Sequence, residues 1–208
     1  MTVVDSQRGT RRERKHAAIR SQILETAVAL FSKHGLTEVT VDQIADAADI
    51  GKGTIYNYFS TKEEIVVAFM VDVEAQVQAR VHRFVRSKGP LESILAGFIR
   101  FQFRLKEPHH QFVRVFLGQM FTRTEQFLPY IVEMQKAIDP PLEALFLGLQ
   151  ERGLMRQDVN LPDLILVFKT IQMGLSALWA IEGPPFRQTE KTLKQEMKLF
   201  CEGIRQRT

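Results

Sequence analysis

The sequence has very little cysteine and no long apolar run. Its single cysteine, Cys201, cannot form a disulfide within the chain, so a disulfide scaffold is excluded and a reducing compartment is expected. No segment has the roughly 18 uninterrupted apolar residues of a membrane span, and residues 1–15 have no apolar core of the length that a secretory signal needs. We therefore expect a cytoplasmic protein with no membrane partner, in which Cys201 packs as a small apolar side chain.

The sequence also lacks the groups of polar side chains that catalysis and metal binding require. No nucleophile with a base and an orienting partner is recognisable, and no two carboxylates are paired for acid–base work. His109 and His110 are adjacent, but no cysteine, further histidine or carboxylate cluster accompanies them at the spacing of metal ligands. We expect no catalytic residue, no metal site and no cofactor, so an enzyme is the least favoured class of protein.

Charge is nearly balanced over the whole chain but uneven along it. The formal net charge is only +4, yet six lysines or arginines lie between Arg8 and Arg20 against one acidic residue, Glu13. Residues 1–12 are interpreted as a basic N-terminal arm, which by itself suits either a solvated tail or a contact with nucleic acid. A second feature has to decide between these alternatives.

Apolar residues recur with helical spacing in almost every segment, and no convincing strand is present. The length of 208 residues suits a small unit followed by a larger one, and the composition shifts toward Phe, Met and Leu after Pro90. Gly35 is placed to end the first helix, and Pro140 and Pro141 are expected to kink or split the seventh. The predicted helices are, approximately, 13–34, 41–48, 52–59, 60–87, 91–106, 109–123, 125–152, 161–182 and 189–205.

Residues 51–64, GKGTIYNYFSTKEE, contain the glycines and lysine of a phosphate-binding loop without its pattern. Such a loop needs G-x-x-x-x-G-K-[ST] after a strand, and a dinucleotide fold needs G-x-G-x-x-G between a strand and a helix. Here Gly51, Lys52 and Gly53 follow a predicted helix, and Tyr56 occupies the third glycine position. A nucleotide-binding enzyme is not indicated.

Residues 40–59 have instead the proportions of a helix-turn-helix, whose second helix lies in the major groove of DNA. Thr40 caps the first helix, and Gln43 can complete a capping box. Gly53 lets the second helix approach the groove closely, while Tyr58 and Lys62 suit contacts to phosphates. The candidate DNA contacts are Thr40, Lys52, Gly53, Thr54, Tyr56, Asn57, Tyr58 and Lys62. The residues expected in the core of this unit are Ile44, Ala45, Ala48, Ile55 and Phe59.

The segment TVDQIADAADIGKGTIYNYFSTKEEI, residues 40–65, resembles the DNA-binding signature of the tetracycline-repressor (TetR) family. It matches the threonine cap and the I-A-x-x-A, K-G-T-I-Y-x-Y-F and Lys-Glu-Glu elements. The resemblance implies that Tyr56 faces DNA, and it favours a DNA contact for Lys52, Lys62 and the basic arm over a solvated role. The segment departs from the family pattern at the turn, where Asp49 and Gly51 stand in place of the usual glycine and serine. Aspartate tolerates a left-handed backbone, whereas Gly51 is a weaker cap than serine.

The same resemblance implies an all-α protein with an N-terminal three-helix DNA-binding domain, here residues 13–62, and a larger helical ligand-binding and dimerisation domain, residues 63–208. It also implies a homodimer through the last two helices, about 161–182 and 189–205, in which ligand binding changes the spacing of the two DNA-binding heads. The predicted helix beginning near Leu161 is apolar nearly all round, as expected of a helix covered on two sides.

A ligand pocket is expected in the larger domain, lined by aromatic and methionine side chains. Each of these residues suits plain core packing as well. Gln172 is the most informative, since a polar side chain in an apolar helix needs a partner, which could belong to the facing subunit. The candidate ligand contacts are Phe98, Phe101, Gln102, Phe112, Phe116, Met120, Phe146, Gln172 and Met173.

The favoured function is a homodimeric, ligand-responsive transcription regulator, a repressor released from double-stranded, pseudo-palindromic operator DNA by a small hydrophobic effector. Two alternatives stay open. The first is an activator or a ligand-independent regulator of the same fold. The second, from another class, is a helical small-molecule carrier without DNA binding, against which the intact set of Lys52, Tyr56 and Lys62 argues.

Overall fold

The computed structural model describes residues 10–205, apart from the side chains of Thr124 and Ile131. Over this range the chain folds into ten α-helices and one short 3₁₀ turn, Glu107–His109, without a β-strand. The expected all-α class is confirmed. The helices are α1 Arg11–His34, α2 Val41–Ala47, α3 Lys52–Tyr56, α4 Lys62–Gln78, α5 Val81–Val85, α6 Leu91–Lys106, α7 His110–Thr122, α8 Thr124–Glu151, α9 Leu161–Glu182 and α10 Arg187–Ile204.

Local sequence signals explain where the first helices begin and end. Thr10 and Thr40 each form a capping box, with Glu13 and Gln43 respectively. Gly35, at φ 82°, ends α1 as predicted. The helical part of the chain begins earlier than expected, because the Thr10 cap places Arg11 and Arg12 in α1 and not in an arm. The remaining arm, residues 1–9 with Arg8, lies outside the described residues.

The predicted fourth helix is wrong as a single element. The chain breaks after Gln78 into α4 and α5, and Arg80 adopts φ −119° and ψ −1° between them. The side chain of Arg80 helps to end α4, since its guanidinium donates to Gln76 O at 3.3 Å and lies over the Phe101 ring. By contrast, α8 is one continuous helix with Pro140 and Pro141 inside it, so the prolines do not split it.

The helix-turn-helix unit has a compact apolar core. All five residues predicted for it, Ile44, Ala45, Ala48, Ile55 and Phe59, are buried. The α1 helix adds Ile23, Ala27 and Phe31, and Gln22 Nε2 donates to Ala48 O at 2.6 Å at the end of α2. These contacts hold α2 and α3 against α1 and leave the other side of α3 to solvent.

The larger unit is built around α6, α7, α8 and α9, with α10 packed on α6 and α9. Its core is rich in phenylalanine, including Phe98, Phe112, Phe116, Phe146 and Phe168. Cys201 is fully buried there, and burial raises the pKa of its thiol to about 12. The expectation that Cys201 packs as an apolar side chain is thus confirmed.

By length and composition alone, the α9 helix is apolar enough to cross a membrane. Of its most apolar 18-residue segment, 33% is buried within this chain. One face of α9 packs inward through Leu164, Phe168 and Leu175. The outer face carries Leu166 and Ile181, which are 63% and 76% exposed. An apolar face of this kind calls for a covering surface.

Candidate functional site

The helix-turn-helix places most of the predicted DNA contacts on one accessible surface. The residues between α2 and α3 form a tight turn, in which Asp49 adopts φ 52°. This confirms that aspartate takes the left-handed position where the family usually has glycine. Gly51 is the N-cap of α3 and provides no side-chain cap. The first turn of α3 therefore presents backbone without a hydroxyl at the position where the family usually has serine.

Solvent reaches the side of α3 opposite to its buried Ile55. Lys52, Gly53, Tyr56 and Asn57 are exposed, and Thr54 is half-buried. Thr40 is exposed as well, but its hydroxyl already accepts from Gln43 N at 3.2 Å. The structure thus brings the candidate base-contacting residues together at the accessible end of the helix-turn-helix.

Gly53 of α3 lies beside open space. A Cβ added at Gly53 would meet no heavy atom of the described chain within 4 Å. Its φ is not in the left-handed region, so neither packing nor backbone conformation within the chain requires glycine. The open space lies on the surface that the sequence predicts to approach DNA.

Lys52 has a partner that the sequence did not reveal. Its ammonium lies 2.6 Å from a carboxylate oxygen of Asp42, at the start of α2. The hydrogen bond to Asp42 raises the pKa of Lys52 above its ordinary value, against a smaller effect of desolvation. A phosphate or base that binds Lys52 therefore competes with Asp42. The only sequence signal for this pair is an acidic residue in the first turn of a helix, which also favours the helix dipole.

Lys62 lies apart from the other candidates. Its Nζ donates to three backbone carbonyl oxygens, those of Leu36 at 2.7 Å, Thr37 at 3.0 Å and Val39 at 3.1 Å. An ammonium has three donors, and all three serve the connection between α1 and α2. In this conformation Lys62 ties the start of α4 to the DNA-binding head and has no donor left for a phosphate.

Tyr58 is half-buried and packs on α1. Its ring centroid lies 4.3 Å from that of His16, a residue that the sequence analysis did not single out. Four basic residues of α1 are exposed nearby in sequence: Arg11, Arg12, Arg14 and Lys15. Arg20 is not available in the same way, because it pairs with Asp72 of α4 through contacts of 2.5 and 3.1 Å. Arg20 therefore joins the head to α4.

A second feature is a cavity of about 130 Å³ in the larger unit, the inner cavity, which is lined by α4, α6, α7, α8 and α9 and is partly open to solvent. Apolar side chains such as Val113, Leu117 and Ile138 form most of its wall, together with Trp179. Of the nine predicted ligand contacts, Phe116, Met120, Gln172 and Met173 line this cavity. The remaining five, Phe98, Phe101, Gln102, Phe112 and Phe146, do not line it.

The polar groups of the cavity lie on three helices. Gln172 of α9 finds its partner within the chain, because its amide donates to Gln102 of α6. Lys106 of α6 and Glu74 of α4 form a buried ion pair at 3.6 Å. The sequence holds only weak signals for this pair: Glu74 interrupts an apolar helix face, and Lys106 lies one helical turn after Gln102.

The two adjacent histidines occupy different surroundings. His110 is buried, and its Nε2 lies 3.1 Å from Trp179 O. His109 is half-buried, and burial lowers the pKa of its ring. Within residues 10–205 no group of three or more histidine, cysteine, aspartate or glutamate side chains is placed to hold a metal ion.

An exposed helix-turn-helix joined to a larger all-helical unit with an internal apolar cavity defines a class of protein, the one-chain DNA-binding regulators that carry their own ligand-binding domain. Residues 23–69 match the family model described as bacterial regulatory proteins, tetR family. The HTH-type transcriptional repressor KstR2 of Mycobacterium tuberculosis is 31% identical over 188 residues, which cover 89% of this chain and 92% of that protein.

Solved structures show the same fold. The fatty acid degradation regulator FadR from Bacillus halodurans superposes with a TM-score of 0.72 at 19% identity, over 97% of this chain and all of the other. FadR from Bacillus subtilis, solved in complex with stearoyl-CoA, gives a TM-score of 0.71 at 20% identity, over 88% and 98% of the two chains. The protein belongs to the TetR family. It is a DNA-binding transcriptional regulator and not an enzyme. Repressors of this family bind operator DNA, dimerise and bind small-molecule ligands.

Proposed function

We propose that the protein is a cytoplasmic, homodimeric repressor that a small hydrophobic effector releases from its operator. The proposal rests on two features that occur in the same chain. One is an exposed α3 with open space beside Gly53, and the other is an apolar cavity in the larger unit. The relative KstR2 is described as a repressor, and FadR of B. subtilis was solved with a ligand that has a long acyl chain. The name of KstR2 supports repression, and the stearoyl-CoA bound to FadR supports an effector with an apolar part.

The proposed DNA interface consists of the accessible end of α3 and the exposed basic residues of α1. Tyr56 and Asn57 are the candidates for contacts to base edges, with Lys52 reaching bases or phosphates once it leaves Asp42. Tyr58 is proposed as a phosphate contact steadied by His16. Lys62 is proposed to act indirectly, because its three carbonyl partners fix the position of the head relative to α4. The proposed domains accordingly meet at Lys62, with residues 63–208 forming the sensor.

The proposed dimer forms through the exposed faces of α9 and α10. On α9, Leu166, Thr170, Gly174, Ala177 and Ile181 recur at spacings of three or four residues, so that they share one outward face. Small residues at its centre allow another helix to approach closely, and Leu199 of α10 is 68% exposed. A second copy of the chain would cover this apolar surface.

The effector would act through α4. This helix carries Glu74 on the cavity wall, Asp72 in contact with Arg20 of α1, and Lys62 against the α1–α2 connection. At the start of α4 the Thr61 hydroxyl also lies 2.7 Å from the Tyr130 hydroxyl of α8. A ligand that binds one position of α4 better than another would shift the spacing of the two heads and hence the affinity for DNA.

The proposal is tested by measuring the binding of the full chain to the DNA upstream of its own gene at several salt concentrations. Removing one phosphate contact lowers the salt slope by about 0.9, so we expect a change of roughly that size for Lys52→Met. Tyr56→Ala should alter the sequence preference. Lys88→Met, an exposed lysine in the loop before α6, is the matched control and should change neither. The proposal would be contradicted if neither Lys52→Met nor Tyr56→Ala changed the binding to DNA. If the protein is instead a small-molecule carrier, the wild-type chain should not bind the DNA at all.

A further inference from the structure

The inner cavity contains a polar cluster whose hydrogen bonding is incomplete. Glu74 and Lys106 are only 5% and 7% exposed, and they line the cavity together with Gln172. The separation of 3.6 Å between Lys106 Nζ and Glu74 Oε1 is an ion-pair contact but too long for a good hydrogen bond. Among the residues that the structure describes, the Lys106 ammonium makes no closer polar contact.

Two oxygens of this cluster are buried without a donor among the described residues. They are Glu74 Oε2 and Gln172 Oε1. The amide nitrogen of Gln172 is already used, because it donates to Gln102. Buried polar atoms are nearly always hydrogen-bonded, and an unmade bond to a charged group is costly. Besides the half-buried Ser176 and the paired Lys169, the cavity therefore offers two free acceptors and one ammonium donor within a mostly apolar wall.

The formal charges around the cavity cancel in pairs. Glu74 faces Lys106, and Lys169, which also lines the cavity, has its ammonium 2.6 Å from Asp139. A second carboxylate placed beside Glu74 would be repelled by it, since like charges at short range disfavour ionisation. A purely apolar ligand would leave both acceptors unsatisfied, whereas the single donor of a hydroxyl group satisfies the charged one, Glu74 Oε2, whose unmade bond is the costlier of the two. The cluster fits an uncharged group that both donates and accepts.

We propose that the effector is an apolar molecule with an uncharged hydroxyl group, which donates to Glu74 Oε2 and accepts from Lys106 Nζ. This inference rests on the proposed function, since it specifies the chemistry of the effector. It places the recognised group against α6 and the C-terminal part of α4, so ligand binding acts directly on the helix whose first residue, Lys62, holds the head.

Trp179 provides a direct signal for binding, because it is the only tryptophan of the chain and lines the cavity. Its fluorescence is followed while the full-length protein is titrated with octan-1-ol, its isomer 1-methoxyheptane, or octanoate at neutral pH. The two isomers have the same size and differ in the hydrogen-bond donor. A hydrogen bond to a charged group is worth about a factor of 10 or more in affinity, so we expect octan-1-ol to bind at least about tenfold more tightly than either other compound.

Two double variants test whether Glu74 and Lys106 cause the preference for octan-1-ol over 1-methoxyheptane. Glu74→Met/Lys106→Met removes both charges together, which avoids leaving one buried and unpaired, and it should reduce the ratio of alcohol to ether affinity to about 1 while both still bind. Arg100→Met/Glu190→Met is the control, since this ion pair joins α6 to α10 and does not line the inner cavity. It should keep the wild-type ratio. Thermal melting verifies that both variants fold.

The outcomes separate this inference from the proposed function. Equal binding of alcohol and ether by the wild-type chain would mean that the cluster holds only water, and tighter binding of octanoate would mean an anionic effector. Either result overturns the hydroxyl proposal, as does a preference that survives the double substitution or the absence of any fluorescence change. The wild-type titration alone suffices if a variant does not fold. The repressor proposal is judged separately, by DNA binding of the ligand-free protein.

Discussion

At the scale of single residues, Gly53 and Asp49 show how a sequence signal and a structural one combine. The left-handed position of Asp49 follows from the known tolerance of aspartate for that backbone, and the structure has it at φ 52°. The reason for a glycine at position 53 depends on which atoms surround it in the fold, and the sequence does not specify these. Nothing within the described chain requires a glycine there.

We therefore expect Gly53→Ala to separate stability from DNA binding. Alanine favours a helix over glycine by up to about 1 kcal/mol, so the free energy of unfolding should hold or rise slightly. DNA affinity should fall, because the added methyl group occupies the surface that approaches the groove. Urea unfolding and fluorescence anisotropy with labelled DNA measure the two quantities.

Gly118→Ala is the control for this substitution, since Gly118 of α7 is also exposed and a methyl group added there would also meet open space. It should leave DNA affinity unchanged. If Gly53→Ala binds DNA as well as the wild type, then α3 does not approach the groove at Gly53.

The residue scale also shows where sequence reasoning stops. Lys62 and Lys52 look alike in sequence, as basic residues beside a helix start. One is committed to three carbonyl oxygens and the other to a single exposed carboxylate. The difference depends on how α4 meets the α1–α2 connection, a tertiary contact over more than 20 residues that no local pattern encodes.

At the scale of elements, the helices that follow clear periodicity and capping signals were predictable, and the exceptions have local causes. The α6 helix has the bounds predicted from Pro90 and its apolar face. The division between α4 and α5 was missed, because apolar residues keep nearly the same spacing across Ala79 and Arg80. The sequence cannot show that this break lets α5 pack closely on α8.

Gly148 of α8 marks that close contact. A Cβ at this position would lie 2.5 Å from Val85 Cγ1 of α5. Overpacking of this kind costs about 1–3 kcal/mol, so we expect Gly148→Ala to lower the free energy of unfolding by that amount. Urea denaturation provides the measurement.

Val85→Ala removes the methyl groups that would collide. The double variant Gly148→Ala/Val85→Ala should therefore lose less stability than the sum of the two single variants, as coupled neighbours do. Additive losses would show that the two helices do not meet through these side chains.

At the scale of the whole molecule, the sequence predicted an all-helical regulator, and it could not place the cavity. Periodicity identifies which face of a helix is buried, but the empty volume depends on how α4, α6, α7, α8 and α9 pack together. This is why Phe98 and Phe146 are core residues while Phe116 lines the cavity. Glu74 and Lys106 come together for the same reason, from different helices.

The outer face of α9 is predicted to form the homodimer interface. Leu166→Glu/Ile181→Glu puts two charges on the proposed interface, where burial without a partner is unfavourable. Sedimentation equilibrium should find the variant at the 23.9 kDa mass of one chain and the wild type at twice that mass.

Leu128→Glu controls for the loss of an exposed leucine, since Leu128 of α8 is 59% exposed and lies off the proposed interface. It should stay dimeric. A dimer that survives the α9 substitutions and is lost in Leu128→Glu would move the interface to α8.

The most direct test of two paired DNA-binding heads is selection of bound sequences from a library of random duplex DNA by the full-length protein. We expect the enriched sites to be two-fold symmetric, with half-site centres about 34–36 Å apart or a multiple of that spacing. The Tyr56→Ala variant should enrich different bases within the same spacing. Enrichment of a single asymmetric half-site, or of no sequence, would contradict a dimeric repressor that binds DNA through α3.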